Sequence, residues 1–266
     1  MNEFIKKLMT QEEFNSIAVM DRMAIERESI LAKDALTWTL IIRYCNLTED
    51  TLRQFADRLD WHEVSVVGKY LTKQFIEDFK DKLDWSELSQ YHMFTKEQLL
   101  QYIDYIDWDR APTFQPAIDE EVIDAVMASS KKDEFNWHGA LVKVKMSETF
   151  LEKYAVKANK WEIVSYYQNL SEKFMEKFAD KLNWNYISQK QHLSRKFMVK
   201  HFDKLNALWL KKFQKNWDDD IEKEYEFYKA ENNWMKDQNL LNEVKVAFAK
   251  HGYDFDIFSK FFTNNL

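Results

Sequence analysis

One phrase recurs along this chain every 23 or 24 residues: a helix-capping residue, an amphipathic helix, then Asp-Trp or Asn-Trp. Two clear copies run from Leu71-Thr72 to Asp84-Trp85 and from Leu170-Ser171 to Asn183-Trp184. A unit this short cannot bury its own apolar face, so successive copies have to stack on one another. Aligned on the cap, the copies start at Thr48, Thr72, Thr95, Asp119, Ser147, Ser171, Ser194, Asp218 and Asn242. Each of these side chains can accept a hydrogen bond from a free N–H of a first helical turn. Acidic residues such as Glu49, Glu97, Glu148 and Glu172 follow within the first turn, where the helix dipole favours negative charge.

Counting from the cap, positions +3, +7 and +11 form an apolar stripe: Phe75, Phe79 and Leu83 in one unit, Phe174, Phe178 and Leu182 in another. Position +4 joins it as Ile76, Leu99, Leu151, Met175 and Met198, giving the 3.6-residue period of a helix. Asp60, Asp84, Asp107, Asn136 and Asn183 each precede a Trp and read as caps of a second helix. Glu63 and Glu87, three residues after Asp60 and Asp84, suggest an Asp variant of the capping box. Apolar Val64, Leu88, Val164 and Ile187 follow at Trp+3. Each unit is therefore expected to be a helix pair of about 12 and about 7 residues. A tryptophan at one fixed place in every unit reads as internal packing rather than a ligand platform.

Composition narrows the class further. Average proteins carry roughly 7% Gly and 5% Pro, whereas this 266-residue chain has 3 Gly and 2 Pro. Tight hairpins and phosphate-cradling loops need glycine, so the expected fold is all-α, an α-solenoid of tandem helix pairs closed by N- and C-terminal helical caps. Cys45 is the only cysteine, which excludes an intramolecular disulfide and a thiolate metal site. No apolar run approaches membrane-spanning length, and Met1 to Lys7 lacks a signal-peptide core. A cytoplasmic location is expected, with no membrane partner.

The rhythm breaks twice. Trp108 and Trp137 are 29 residues apart, and both prolines, Pro112 and Pro116, lie between them. At the N-terminus, Thr10 to Glu13 suggests a capping box ahead of a long helical pattern reaching Leu36; at the other end, Gly252 suits a helix C′ position before an amphipathic stretch from Tyr253 to Phe262. The expected divisions are a cap at 1–46, a first stack at 47–110, a bend or irregular repeat at 111–136, a second stack at 137–240 and a cap at 241–266.

The Leu170 to Ser188 and Leu71 to Ser89 copies resemble short tandem helical repeats of bacteriophage and large-DNA-virus proteins. The likeness covers about residues 47 to 110 and 146 to 205 well, and the rest loosely. Such proteins share no common activity, so the resemblance implies a repeat type and no catalytic residues. It implies a viral factor acting on a host protein in the host cytoplasm.

Nothing in the sequence supports catalysis. The six histidines form no His-Glu-x-x-His motif or i, i+4 pair, and no metal or cofactor is expected. His201 takes a +7 position usually held by Phe or Tyr and reads as a packed aromatic substitute. Charge is distributed unevenly. Residues 1–140 hold 16 Lys+Arg against 27 Asp+Glu, whereas residues 141–215 hold 16 against 7. Lysines recur at cap +2, +6 and +10: Lys173, Lys177 and Lys181, then Lys196, Lys200 and Lys204, with Lys153 and Lys157 in the unit before. They lie roughly 130° from the core stripe, and stacked helices about 10 Å apart would arrange them as a grid. Such a grid can bind an acidic partner or pair with Glu152, Glu176 and Asp180 of adjoining helices. The expected function is a non-enzymatic protein-binding scaffold. Alternatives are nucleic-acid binding through 141–215 and DNA mimicry by the acidic 1–140 face.

Overall fold

The computed structural model describes residues 1–32, 35–69, 71–236, 238–250 and 252, with the side chains of 155–158, 231, 233–236, 238–241 and 244 outside that description. The described residues form helices and turns with no strand. They fall into two compact units, 1–146 and 147–266.

In the first unit, α1 (Glu3–Lys6), α2 (Gln11–Ser16) and α3 (Val19–Ala32) come first. Leading and trailing helices then alternate: α4 (Trp38–Cys45), α5 (Glu49–Gln54), α6 (Trp61–Val67), α7 (Lys73–Phe79), α8 (Trp85–Tyr91), α9 (Lys96–Gln101), α10 (Ala111–Phe114), α11 (Glu120–Ala128) and α12 (Trp137–Lys143). The second unit holds α13 (Glu148–Ala158), α14 (Trp161–Tyr167), α15 (Glu172–Lys177), α16 (Trp184–Lys190), α17 (Arg195–Lys200), α18 (Ala207–Phe213), α19 (Asp219–Lys236) and α20 (Gln238–Lys250). Within each unit the trailing helices stack in sequence order, α3–α4–α6–α8–α10–α12 and α14–α16–α18. Each unit is thus an α-solenoid array of the kind the repeat demands.

The caps stand where the sequence places them. Thr48, Thr72, Thr95, Asp119, Ser171 and Ser194 each accept from a backbone N–H three residues on. The leading helix, expected to run about 12 residues, stops at about half that in most repeats. Its break is built in. At +7 the backbone leaves the helical region (Phe178, φ −116° and ψ 28°), and the Phe178 carbonyl accepts from both Lys181 and Leu182 N–H. The next carbonyl, at +8, accepts the indole N–H of the coming tryptophan. These bonds are Trp61 to Ala56, Trp85 to Lys80, Trp108 to Ile103 and Trp184 to Ala179, at 2.8–3.0 Å. The indole satisfies the carbonyl that an unbroken helix would have used.

The tryptophans also join repeats. Trp38, Trp61, Trp85, Trp161 and Trp184 each lie on the +7 ring of the following leading helix: Phe55, Phe79, Tyr102, Phe178 and His201, with centroids 4.7–5.2 Å apart. Between stacked trailing helices, the Trp+3 residues Ile41, Val64, Leu88, Val164 and Ile187 are fully buried. Each such side chain contributes about 1.5–3 kcal/mol by leaving water.

Three polar ladders complete the joints. Ser65, Ser89, Ser165 and Ser188, at Trp+4, are fully buried. Each hydroxyl accepts the N–H of the next Asp or Asn cap (Asp84, Asp107, Asn183 and Asn206) at 2.8–2.9 Å. Ser65, Ser165 and Ser188 also donate to the carbonyl four residues back at 2.7 Å. Gln115, Gln191 and Gln214, just past their trailing helices, reach back one repeat. Gln191 donates to the Ser165 and Gln168 carbonyls and accepts Leu170 N–H. His92 occupies the same position, with Nδ1 2.8 Å from the Gly68 carbonyl oxygen. Finally, first-turn carboxylates cap the next cap: Glu49 takes N–H and O–H of Thr72, Glu148 those of Ser171, and Glu172 those of Ser194. Buried Asp21 does this for Thr48.

Other expectations need correction. Glu63 and Glu87 close no capping box. Asp60 and Asp84 cap their helices alone, while the two glutamates reach Arg43 and Arg110 in neighbouring repeats. Thr10 and Glu13 do form a capping box, but the helix ends at Ser16, and α3 starts afresh at Val19. Asn242 is not a cap, because it lies inside α20. After Asp218 no leading-helix break intervenes, and 219–236 runs as one helix. Gly252 has φ +75° and closes α20 through its N–H to Ala249, as a C′ glycine does. The expected helix from Tyr253 to Phe262 lies outside the described residues.

Candidate functional site

The recurring lysines are placed by their register. At +6, Lys177 pairs with Glu152 and Lys200 with Glu176, both at 2.7 Å, one repeat back. At +10, Lys204 lies over the Trp184 ring at 5.3 Å and Lys181 sits 3.9 Å from Asp180. Lys153 lies 4.8 Å from the Tyr154 ring centroid. The Lys157 side chain lies outside the described residues. At +2, Lys173 and Lys196 are exposed, with no ion pair among the described residues. Two of the eight, Lys177 and Lys200, thus form inter-repeat ion pairs, and exposed pairs of this kind add about 0–1 kcal/mol each.

A different surface is left over. On each trailing helix, positions Trp+2, +5 and +6 face away from the buried Trp+3 and Trp+4 columns. The last of these is exposed and apolar in most repeats: Tyr44, Val67, Tyr91 and Phe114 in the first unit, Tyr167 and Phe213 in the second. The inner two positions differ between units. In the first unit they carry charge. Glu63, itself buried, takes two hydrogen bonds from Arg43 across the helix gap. Arg110 bonds Glu87 at 3.2 Å and Gln90 at 2.8 Å. Gly139 takes the +2 place on α12 because α10 comes close there. A Cβ would stand 2.5 Å from Thr113 Oγ1 and 3.1 Å from its backbone nitrogen.

In the second unit, with Ala207 in the Trp place on α18, Tyr166, Tyr186 and Trp209 take three of these positions, beside Ile163, Gln189 and Lys212. Tyr166 of α14 meets Tyr186 of α16 edge-on at 5.0 Å, and Lys190 lies over Tyr166 at 4.3 Å. On α18, Trp209 stacks on Phe213 at 5.7 Å, with Lys212 over both rings. Leu208 beside them is 77% exposed. Neither Lys190 nor Lys212 forms an ion pair among the described residues, so their charge stays available to a ligand. These rings stand at three repeat positions, and by hydrophobicity alone they resemble core residues. The signal was their recurrence at Trp+2, +5 and +6, outside the core columns.

The remaining chemistry-bearing groups have structural roles. His62, Asp84 and Glu87 bring three donor atoms within 4.8 Å. His62 Nδ1 is 2.9 Å from Asp84 Oδ2, and that hydrogen bond raises the imidazole's pKa. One repeat on, Ser86 makes the same bond to Asp107, so the His62 contact is a repeat joint, with Asp84 also capping α8 and Glu87 held by Arg110. Cys45 is buried, and desolvation pushes its thiol up to about 11, which suppresses thiolate reactivity. His201 is buried between Trp184 and Phe197, as its register implied, with Nε2 3.5 Å from Glu176. Among the described residues no helix is long and apolar enough to cross a membrane. No protein-family model, curated protein or solved structure matches this chain.

Proposed function

We propose that this chain is a non-enzymatic scaffold that binds an acidic protein segment across α14, α16 and α18. The supporting observation is the outer surface of those three helices, where Tyr166, Tyr186, Trp209 and Phe213 are interleaved with Lys190 and Lys212. Aromatic anchors beside cations suit a polypeptide that combines apolar side chains with carboxylates. Neighbouring helices stand about 8–10 Å apart, and an extended chain rises about 3.3 Å per residue. Every third residue of such a segment would meet the same position in successive repeats. The ring faces are occupied by one another and by lysine, which disfavours the open stacking that single-stranded nucleic acid uses.

Panning the full chain against a random displayed peptide library tests this. Enriched peptides should carry Asp or Glu with an aromatic or leucine at a three-residue spacing. Tyr186→Ala with Trp209→Ala should weaken them about a hundredfold, as loss of interface hot spots does, and Lys190→Glu should weaken them further. Peptides unaffected by these changes, or a single-stranded oligonucleotide bound through the same rings, would overturn the reading.

A further inference from the structure

The second surface lies at the beginning of the first unit. Helix α3 buries Asp21, Ile25 and Ser29 against α1, α4 and the Thr48 cap. Its opposite side is apolar and open: Val19, Met20, Met23, Ile30 and Leu31 are 59%, 73%, 60%, 67% and 70% exposed. At 100° per residue these five fall within an arc of about 120°, and they span about 18 Å of helix. An exposed apolar stripe of this size and continuity marks an interaction site.

Charge identifies the occupant. Arg27 lies in the middle of the stripe and is the one arginine that makes neither a hydrogen bond nor an ion pair among the described residues. Arg22, Arg43, Arg53, Arg58, Arg110 and Arg195 all have acceptors. Glu26 and Glu28 flank the stripe, and their carboxylates likewise have no cation among the described residues. The face therefore carries both halves of an ion pair that it does not close on itself. We infer that α3 is a self-association surface on which a second copy of this chain docks its own α3, antiparallel, about a two-fold axis. Centred between Ala24 and Arg27, such a pair sets Met20 against Leu31 of the other copy. It also sets Arg27 over the small Ala24, within reach of the other Glu28. One patch thereby supplies its own apolar and electrostatic complement, as a two-fold interface requires.

Sedimentation equilibrium of the full chain across micromolar concentrations is the test. The expected result is a dimer that dissociates on dilution. Met23→Glu with Ile30→Glu should raise the dissociation constant by roughly a hundredfold, because the pair would have to bury unpaired carboxylates. Both sites are exposed, so helical circular dichroism should not change. Arg27→Glu should weaken the dimer, and adding Glu28→Arg should restore it, since a two-fold axis re-forms the swapped pair. A monomer at every concentration, or a dimer indifferent to Met23→Glu with Ile30→Glu, would overturn the inference. So would failure of the charge swap to recover what Arg27→Glu loses.

Discussion

The outer faces of α4–α6–α8–α10 and of α14–α16–α18 are built from the same repeat positions and differ in chemistry. In the first unit Arg43–Glu63 and Arg110–Glu87 tie neighbouring helices across that face. In the second, Tyr186 and Trp209 stand at the Trp+2 register that Glu63 and Glu87 hold in the first. The buried Trp+3 and Trp+4 columns behind both faces are alike. A common joint thus holds each array together, and the residues outside it are free to differ. Stability resides in the shared columns, and the chemistry of the outer face in the positions that vary.

The contrast can be broken most forcefully by exchanging roles. Tyr186→Ala with Trp209→Ala should cost about a hundredfold in peptide affinity and leave the melting temperature nearly unchanged. Glu63→Ala with Glu87→Ala should do the reverse, because Arg43 and Arg110 would lose their partners while the aromatic face stays intact. Calorimetric binding and thermal melts on both variants read the two effects separately. If affinity and stability fall together in either variant, the division of labour fails.

Next in size is a prediction that the joint is common to both units. Ser65→Ala and Ser188→Ala should each destabilise by about 1–3 kcal/mol, since each leaves a buried cap N–H without its acceptor. Amide exchange should report the loss in the unit that carries the change. A large cost in one unit and none in the other would mean that the two arrays are held differently.

A smaller difference follows from His92, which replaces glutamine in this ladder. Burial holds its imidazole below the ordinary value of 6.5. Below that pH the unfolded chain takes up a proton that the folded chain resists, so stability falls as pH falls. His92→Gln should remove this acid sensitivity from the first unit and keep the bond to Gly68. Chemical denaturation at neutral and mildly acidic pH should show the variant gaining only under acid. An unchanged pH profile would assign the sensitivity elsewhere. Smallest of all, Lys177→Ala should alter stability by about 0–1 kcal/mol, as expected for an exposed pair. A loss well above that would promote the +6 lysines from solvated pairing to a structural role.

Much of this fold was legible because its largest signals are periodic and chemically narrow. Thr72, Ser171 and Asp84 announce helix starts, and Trp61 or Trp184 marks the same turn each time. The early end of the leading helix was not legible, since Phe178 to Leu182 keeps a helical apolar spacing through a segment whose backbone has turned away. Ser165 and Gln191 were overlooked because serine and glutamine are common in helices. Their meaning lies in a column, Ser65 with Ser89, Ser165 and Ser188, and not in any one copy. The aromatic face was missed for a related reason: Tyr186 and Trp209 look like core until burial separates their column from Ile187 and Leu210.

The serine ladder has a corollary for how such a chain can change in length. Each hydroxyl holds the backbone of the following copy 18 or 19 residues on, so a whole copy can be spliced in or excised with every link re-formed at the seam. A cut through the middle of a copy would orphan one serine and one cap at once. Growth and loss in this molecule are therefore quantised, with single insertions of a few residues confined to stretches like the one after Ala128, where no rung of the ladder passes.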